Sequence, residues 1–354
     1  MKKIWKDNAK LILIVTIAIV LASGATYAAT TMYDSNIVGY DNTTSGLRST
    51  NVQSALDELY GTVAEVIINI RDKVEELYEI KDIASGESPA GLHNAIFRGK
   101  NVSKYMPSSI VSGGDGSIYD RIAGTNGYSM FQDLYVGDYI VADNVNDTVN
   151  GIVWRIAGFD IYYMSGYPTA LSSHHAVIVP DEILGKAKMN TSNVTTGGYV
   201  GSAMYTTLTS TTLPTYITPI FGSHVLEYNT LLSNDVGTTL YNRYGSNTGA
   251  SNNWSWYNRK LDLMNEVQVT GATEWSSSGF DIGADTVQFP LFRLRPEFKI
   301  AYTSNVHSSD TRAHYWLRSV MSSSSFAFIA GEGCSGMGVF AGEQYGVRPY
   351  FYIG

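Results

Sequence analysis

From residue 93 to the C-terminus no helical period persists, and that constrains the fold more than any other feature of the chain. Short apolar runs recur instead, at residues 135–141, 152–159, 175–179, 289–294, 326–329 and 347–353, with clusters of Gly, Ser, Asn and Asp between them. Runs this short, bounded by turn residues, read as strands, so the pattern predicts an irregular α+β domain with much loop. VGDYIVA and GIVWRIAGF, separated by DNVNDTVN, predict a β-hairpin. Residues 181–188, 201–209 and 259–266 read as short helices.

Charged residues are 16% of the chain, below the roughly 25% of ordinary globular proteins. Gly, Ser, Thr, Asn and Tyr take their place, with 25 Tyr and 34 Gly among 354 residues. Such composition suits recognition surfaces, where Tyr gives contact area at low entropic cost, and equally suits any surface β-protein. Lys2, Lys3, Lys6 and Lys10 against Asp7 give the first ten residues a net +3, so with −8 overall the remainder stands at −11. An acidic body lacks the footprint for polyanions, which excludes nucleic acid as an expected partner. Cys334 is the only cysteine, so neither an intrachain disulfide nor a multi-cysteine zinc site is available. Its neighbours Gly333, Ser335 and Gly336 form no nucleophile motif.

Residues 11–29, LILIVTIAIVLASGATYAA, carry no charge. Nineteen residues at ~1.5 Å rise can cross a bilayer as a helix, and the lysines ahead of them predict a cytoplasmic N-terminus. Thr26-Tyr27-Ala28 and Ser23-Gly24-Ala25 suit signal peptidase. Residues 1–30 are therefore expected to be a signal peptide or a membrane anchor, with the rest of the chain exported. Residues 31–50 follow as an adaptor segment.

Thr50 and Gln53 form a capping-box signature, which predicts a helix starting near Asn51. Behind it Leu56, Val63, Ile70 and Leu77 recur every seventh residue. Leu59, Val66 and Ile80 occupy the companion position, with Lys73 the one departure. This predicts a short coiled-coil stalk over residues 51–82 and a homo-oligomer built through it, against one amphipathic helix packed on its own domain. SGESPAGLHN then predicts a linker at residues 83–92 before a recognition domain at 93–354.

Two resemblances enter at this point. The run from Tyr40 to Leu47, YDNTTSGL, continued by Thr50 to Leu59, TNVQSALDEL, is similar to a module of phage tail and fibre proteins and of anchored surface proteins of gut bacteria. There it sits between an attachment segment and a variable distal domain, and by analogy with phage fibres the oligomer is expected to be a trimer. The second covers nearly all of the distal domain. Its landmarks are IFRGK (96–100), LYVGDY (134–139), WRIAGFD (154–160), HHAVIVPD (174–181), NVTTGGYVG (193–201), FGSHVL (221–226), FPLFRL (289–294), YWLR (315–318) and GVRP (346–349). Together they resemble a family of phage and surface proteins of gut bacteria. Its closing segment, about 315–350 here, resembles the variable region of proteins diversified by retroelements, which implies a C-type-lectin-like fold.

Between Trp316 and the apolar run at 347–351, both of which read as framework, lies SSSSFAFIAGEGCSGMGVFAGEQY. It holds few large aliphatics and would bury little apolar area as core. Ser319, Ser324, Ser325, Phe328, Ala330, Cys334, Gly336, Gly338 and Phe340 fall where the resembling sequences differ most. From Phe328 onward several are two residues apart, which in a strand places them on one face. These nine are the expected ligand-binding residues, with Trp316 and Arg348 beneath them and Arg318 and Arg348 as candidates for internal pairing.

Chemistry of other kinds is thinly represented. His174-His175 lack a third ligand at usable spacing, and read as structural. Asp281 and Asp285 lack the Asp-x-Asp-x-Asp-Gly order of a calcium loop, and GGDG at 113–116 reads as a turn. Trp254, Trp256, Tyr257 and Trp275 suit binding anchors and core equally. The expected function is that of a surface-displayed ligand-binding protein, a receptor or adhesin, whose closing segment sets specificity. No catalysis, cofactor or metal is expected. Its partner is expected to be a protein or glycan on a target cell, and its place the cell surface, membrane-anchored or secreted, or a virion surface. An enzyme of the formylglycine-generating kind shares the lectin-like architecture, but one cysteine cannot supply its metal or redox set. A structural surface or virion protein without a specific ligand is the remaining alternative.

Overall fold

The computed structural model describes residues 51–63, 66, 90–166, 168–234, 254–274, 286–304 and 311–354. The chain divides into two units, residues 1–86 and 87–354. In the first, residues 52–63 are helical. The Asn51 Oδ1 accepts the Ser54 N–H at 2.9 Å, so Asn51 caps the helix, one residue beyond the expected Thr50. Tyr60 is 78% exposed, and Val66, a position assigned to the coiled-coil seam, is 40% exposed.

These observations correct the expected architecture. Among the described residues of this unit no coiled-coil stalk is seen. No helix among the described residues is long and apolar enough to cross a membrane. The span expected at residues 11–29 and the second half of the heptad run lie outside the described residues. The membrane partner, the stalk-built homotrimer presented to a target cell and the membrane-anchored surface placement rested on those two elements and are withdrawn with them. In place of an anchor, a stalk and a C-type-lectin-like domain, the described fold is a mixed α/β arrangement of open sheets.

The second unit holds two five-stranded sheets. In the first, β1 (Tyr139–Val141), β2 (Val153–Phe159), β3 (Ala176–Pro180), β14 (Pro349–Ile353) and β7 (Leu261–Leu263) lie in that order, antiparallel throughout. β3 and β14 are buried at every position. Their unbroken apolar composition suits strands covered on both faces, and they occupy the sheet's middle. Trp154 of β2 and Phe351 of β14 pack edge to face with Phe221 in the core, with ring centroids 5.1–5.7 Å apart. The hairpin expected from VGDYIVA and GIVWRIAGF is β1–β2.

The second sheet runs β12 (Ser335–Phe340), β11 (Ser325–Ile329), β10 (Tyr315–Val320), β13 (Tyr345–Gly346), β4 (Lys186–Ala187). Only β10–β13 is parallel. Two hairpins complete the strands: β5 (Tyr228–Ser233) with β6 (Trp254–Arg259), and β8 (Ala301–Tyr302) with β9 (Arg312–Ala313).

Several landmark motifs meet as buried pairs. Asp138 of LYVGDY accepts from Arg98 Nε and Nη2 of IFRGK (3.1 and 2.6 Å), and from the N–H groups of Lys100 and Tyr135 at 2.8 Å. Burial pushes the Asp138 carboxyl up, against the pull of that guanidinium. In the same pair of motifs Gly137, at φ +87°, lies beneath the Phe97 ring, which a Cβ there would strike. Arg155 of WRIAGFD pairs with Asp181 of HHAVIVPD, both buried. Arg348 of GVRP, fully buried, donates to the carbonyls of Pro180, Lys299 and Phe298 and to the Tyr315 hydroxyl. One guanidinium thus joins β14 to the start of β10.

The helices differ from expectation where side chains have other work. Residues 181–188 form no helix, because Asp181 is held by Arg155 and residues 186–187 pair with β13. In 259–266, Arg259 ends β6 and residues 261–263 form β7. The helix begins only at Glu266 (Glu266–Thr270), under a capping box of Asn265 and Gln268. Near 201–209 a helix does form, Ala203–Thr207, capped by Ser202. It continues into a wider π-helical segment, Leu208–Ile217, that contains Pro214.

Candidate functional site on the closing sheet

β11 and β12 pair so that Phe328 lies opposite Gly336 and Ser325 opposite Phe340. Paired residues point to the same side of a sheet, and the odd spacing from Ser325 to Phe328 puts them on opposite faces. Between these pairs β11 advances two residues, from Phe326 to Phe328, while β12 moves three, from Val339 to Gly336, so the extra residue lies on β12 and interrupts its alternation. Phe328 and Gly336 therefore share one face, and Ser325, Gly338 and Phe340 the other, with the Ser325 Cβ 3.2 Å from where a Gly338 Cβ would stand. Phe340 is 52% exposed, Phe328 is half-buried and Ser325 is buried. Ser324 leads into β11, half-buried, its carbonyl accepting the Ala341 N–H at 3.0 Å.

Ala330 and Cys334 close the turn between the two strands, where the Ala330 N–H donates to the Cys334 carbonyl at 2.9 Å. Cys334 is exposed. Ser319 lies apart from the other eight. It is fully buried in β10, and its Oγ accepts the Glu266 N–H at 3.0 Å.

Across the sheet the face is aromatic. Phe328 opposes Trp316 of β10, and its ring centroid lies 5.0 Å from Tyr345 of β13 and 5.9 Å from His314. Tyr345 lies 5.1 Å from Trp316 and 5.5 Å from His314. Trp316 is fully buried, its Nε1 donating to the Ala187 carbonyl at 2.8 Å. His314 is exposed and Tyr345 half-buried. The order outward is thus a buried indole, two half-buried rings and an exposed imidazole. Phe328 can lie flat because Gly336 beneath it has no Cβ; one built there would strike the ring. Tyr345 and His314 escaped sequence reasoning. Tyr345 sits inside the glycine-rich stretch as its one tyrosine, which is the signal that could have found it. His314 has no comparable signal.

Behind the site lies a buried polar cluster that the sequence does not announce. Asp262 of β7 accepts from the hydroxyls of Tyr199 (2.9 Å) and Tyr228 (2.8 Å) and from Arg259 Nε (3.1 Å). Burial pushes the Asp262 carboxyl up while Arg259 draws it down. It also holds both phenols well above 10, so they remain donors. Glu266, fully buried, receives the Ser335 Oγ at 3.4 Å, linking this cluster's neighbourhood to the start of β12. Arg318, the other arginine expected to pair internally, is buried in β10, its N–H donating to the Met264 carbonyl.

His175 is fully buried, with its ring nitrogens against the Ser173 and Ile161 carbonyls. His174 Nδ1 lies 2.8 Å from Asp160, its ring stacked on Tyr163. Among the described residues no three His, Cys, Asp or Glu side chains are grouped to hold a metal. Trp254 and Trp256 are half-buried on β6. Asp281, Asp285 and Trp275 lie outside the described residues.

No family model, curated protein or solved structure matches the chain. The labels that hung on the resemblances, a C-type-lectin-like fold, retroelement diversification and a phage fibre, are corrected on that finding together with the open sheets, and the site is argued from its own geometry.

Proposed function

We propose that the chain is a ligand-binding protein, not an enzyme, and that its closing segment sets what it binds. The observation that carries this is the graded aromatic face of Phe328, Tyr345 and His314 over the buried Trp316. Rings anchored on a rigid sheet give contact area with few rotamers to freeze, and serine hydroxyls beside them supply adaptable hydrogen bonds. Rings, hydroxyls and glycines of this kind make contacts, and they do not assemble an acid, a base and a nucleophile. The test is retention of ligands on printed glycan and peptide arrays, using the full chain and its Phe328→Ser/Phe340→Ser variant. The reading expects the same features to be retained by the parent and lost by the variant, with the variant still folded by circular dichroism. Unchanged retention by the folded variant rejects it.

A further inference from the structure

A separate cleft is lined by residues outside the aromatic face. Its walls are the β1–β2 loop (Asp147, Asn150, Ile152), the segment after β3 (Glu182, Ile183) and Tyr216. Its backbone is fixed: the Ile183 N–H donates to the Tyr302 carbonyl at 2.8 Å, Leu184 to Val347 at 2.8 Å and Gly151 to Ala142 at 2.9 Å. The Tyr216 hydroxyl lies over Gly185, 3.9 Å from where a Cβ would stand. Among the described residues two carboxylates line the cleft, and no lysine, arginine or histidine does. Asp181, next to Glu182, is already held by Arg155. Burial and the neighbouring Asp181 push the half-buried Glu182 carboxyl up, although the Val153 N–H draws it down. An arriving positive charge would offset that cost.

We propose that this cleft binds a small organic ammonium ion, with Asp147 and Glu182 taking the charge, Tyr216 beside it and Ile152 and Ile183 against its methylenes. An anion is disfavoured because nothing cationic among the described residues lines the walls. A bare metal ion is disfavoured because, among the described residues, no third carboxylate, histidine or cysteine joins these two. The acidic body of the chain, at −8 overall, favours arrival of a cation. The experiment is calorimetric titration of the full chain with 1,4-diaminobutane at low ionic strength, with calcium chloride and 4-aminobutanoate as comparators. The expected result is saturable binding of the diamine, weakened roughly tenfold by Asp147→Asn or by Glu182→Gln. Calcium should not compete, and the zwitterion should bind more weakly. Three results overturn the proposal: no saturable heat with the parent protein, unchanged affinity in the folded double variant, or calcium binding more tightly at the same site. Because Asp147 and Glu182 lie outside the aromatic face, failure here leaves the array experiment unaffected.

Discussion

Replacing Gly336 with alanine should disturb the protein through one side chain, Phe328. Gly336 does not have a positive φ, so alanine fits the backbone, and the smaller unfolded-state entropy would by itself stabilise by about 0.4–1 kcal/mol. The added Cβ, however, falls on the Phe328 ring. Overpacking of that kind costs about 1–3 kcal/mol, so the net expectation is a loss of roughly 0.5–2 kcal/mol. In a Phe328→Ala background the obstacle is gone and Gly336→Ala should be neutral or slightly stabilising. Urea unfolding of the parent, both single variants and the double variant measures the coupling, expected at roughly 1–2 kcal/mol. Equal effects of Gly336→Ala in the two backgrounds, within about 0.5 kcal/mol, would show that Phe328 does not rest on Gly336. The aromatic face would then be arranged differently from the one described.

Two further outcomes follow from buried polar groups. Asp262→Ala strands the Arg259 guanidinium and two phenols, and should cost about 3–5 kcal/mol in denaturant unfolding, with Asp262→Asn recovering part; a loss below about 1 kcal/mol would refute the cluster's role. His93, fully buried among Phe131, Tyr135 and Phe159, is lowered to about 4, chiefly by burial. Its folded pKa lies below its unfolded value of 6.5, so between those values the unfolded chain binds more protons. Stability is thus complete above pH 6.5 and declines as pH falls toward 4, by up to about 3 kcal/mol. His93→Phe should flatten that part of the stability–pH curve, and an unchanged slope would assign it to other groups.

How much of this was legible depended on whether a signal was local. The β1–β2 hairpin followed from two apolar runs around a polar loop, and the short apolar runs that became β3 and β14 read as strands. That Arg98 meets Asp138, or Arg155 meets Asp181, needs the folded register, and the motifs showed only that such residues were present. The insertion of β14 between β3 and β7, and the parallel β10–β13 pairing, join segments far apart in the chain and leave no periodic trace. At the site, two-residue spacing put 336, 338 and 340 together, whereas the extra residue in β12 parts Gly336 from Gly338 and Phe340. That extra residue and the burial of Ser319 against the Glu266 N–H have no signature in composition. Heptad spacing at the N-terminal side records where apolar residues fall and not whether a partner covers them, and among the described residues no stalk is seen.

The central claim is that ligand meets the β11–β12 face, and the chain supplies its own reporter. Cys334 is the only thiol, exposed in the turn between those strands. The direct measurement is the alkylation rate of Cys334 by iodoacetamide, with and without saturating amounts of a ligand retained on the arrays. A ligand seated on this face should slow alkylation several-fold, and the protection should vanish in Phe328→Ser/Phe340→Ser. An unchanged rate while the ligand is demonstrably bound would place the binding site elsewhere on the molecule.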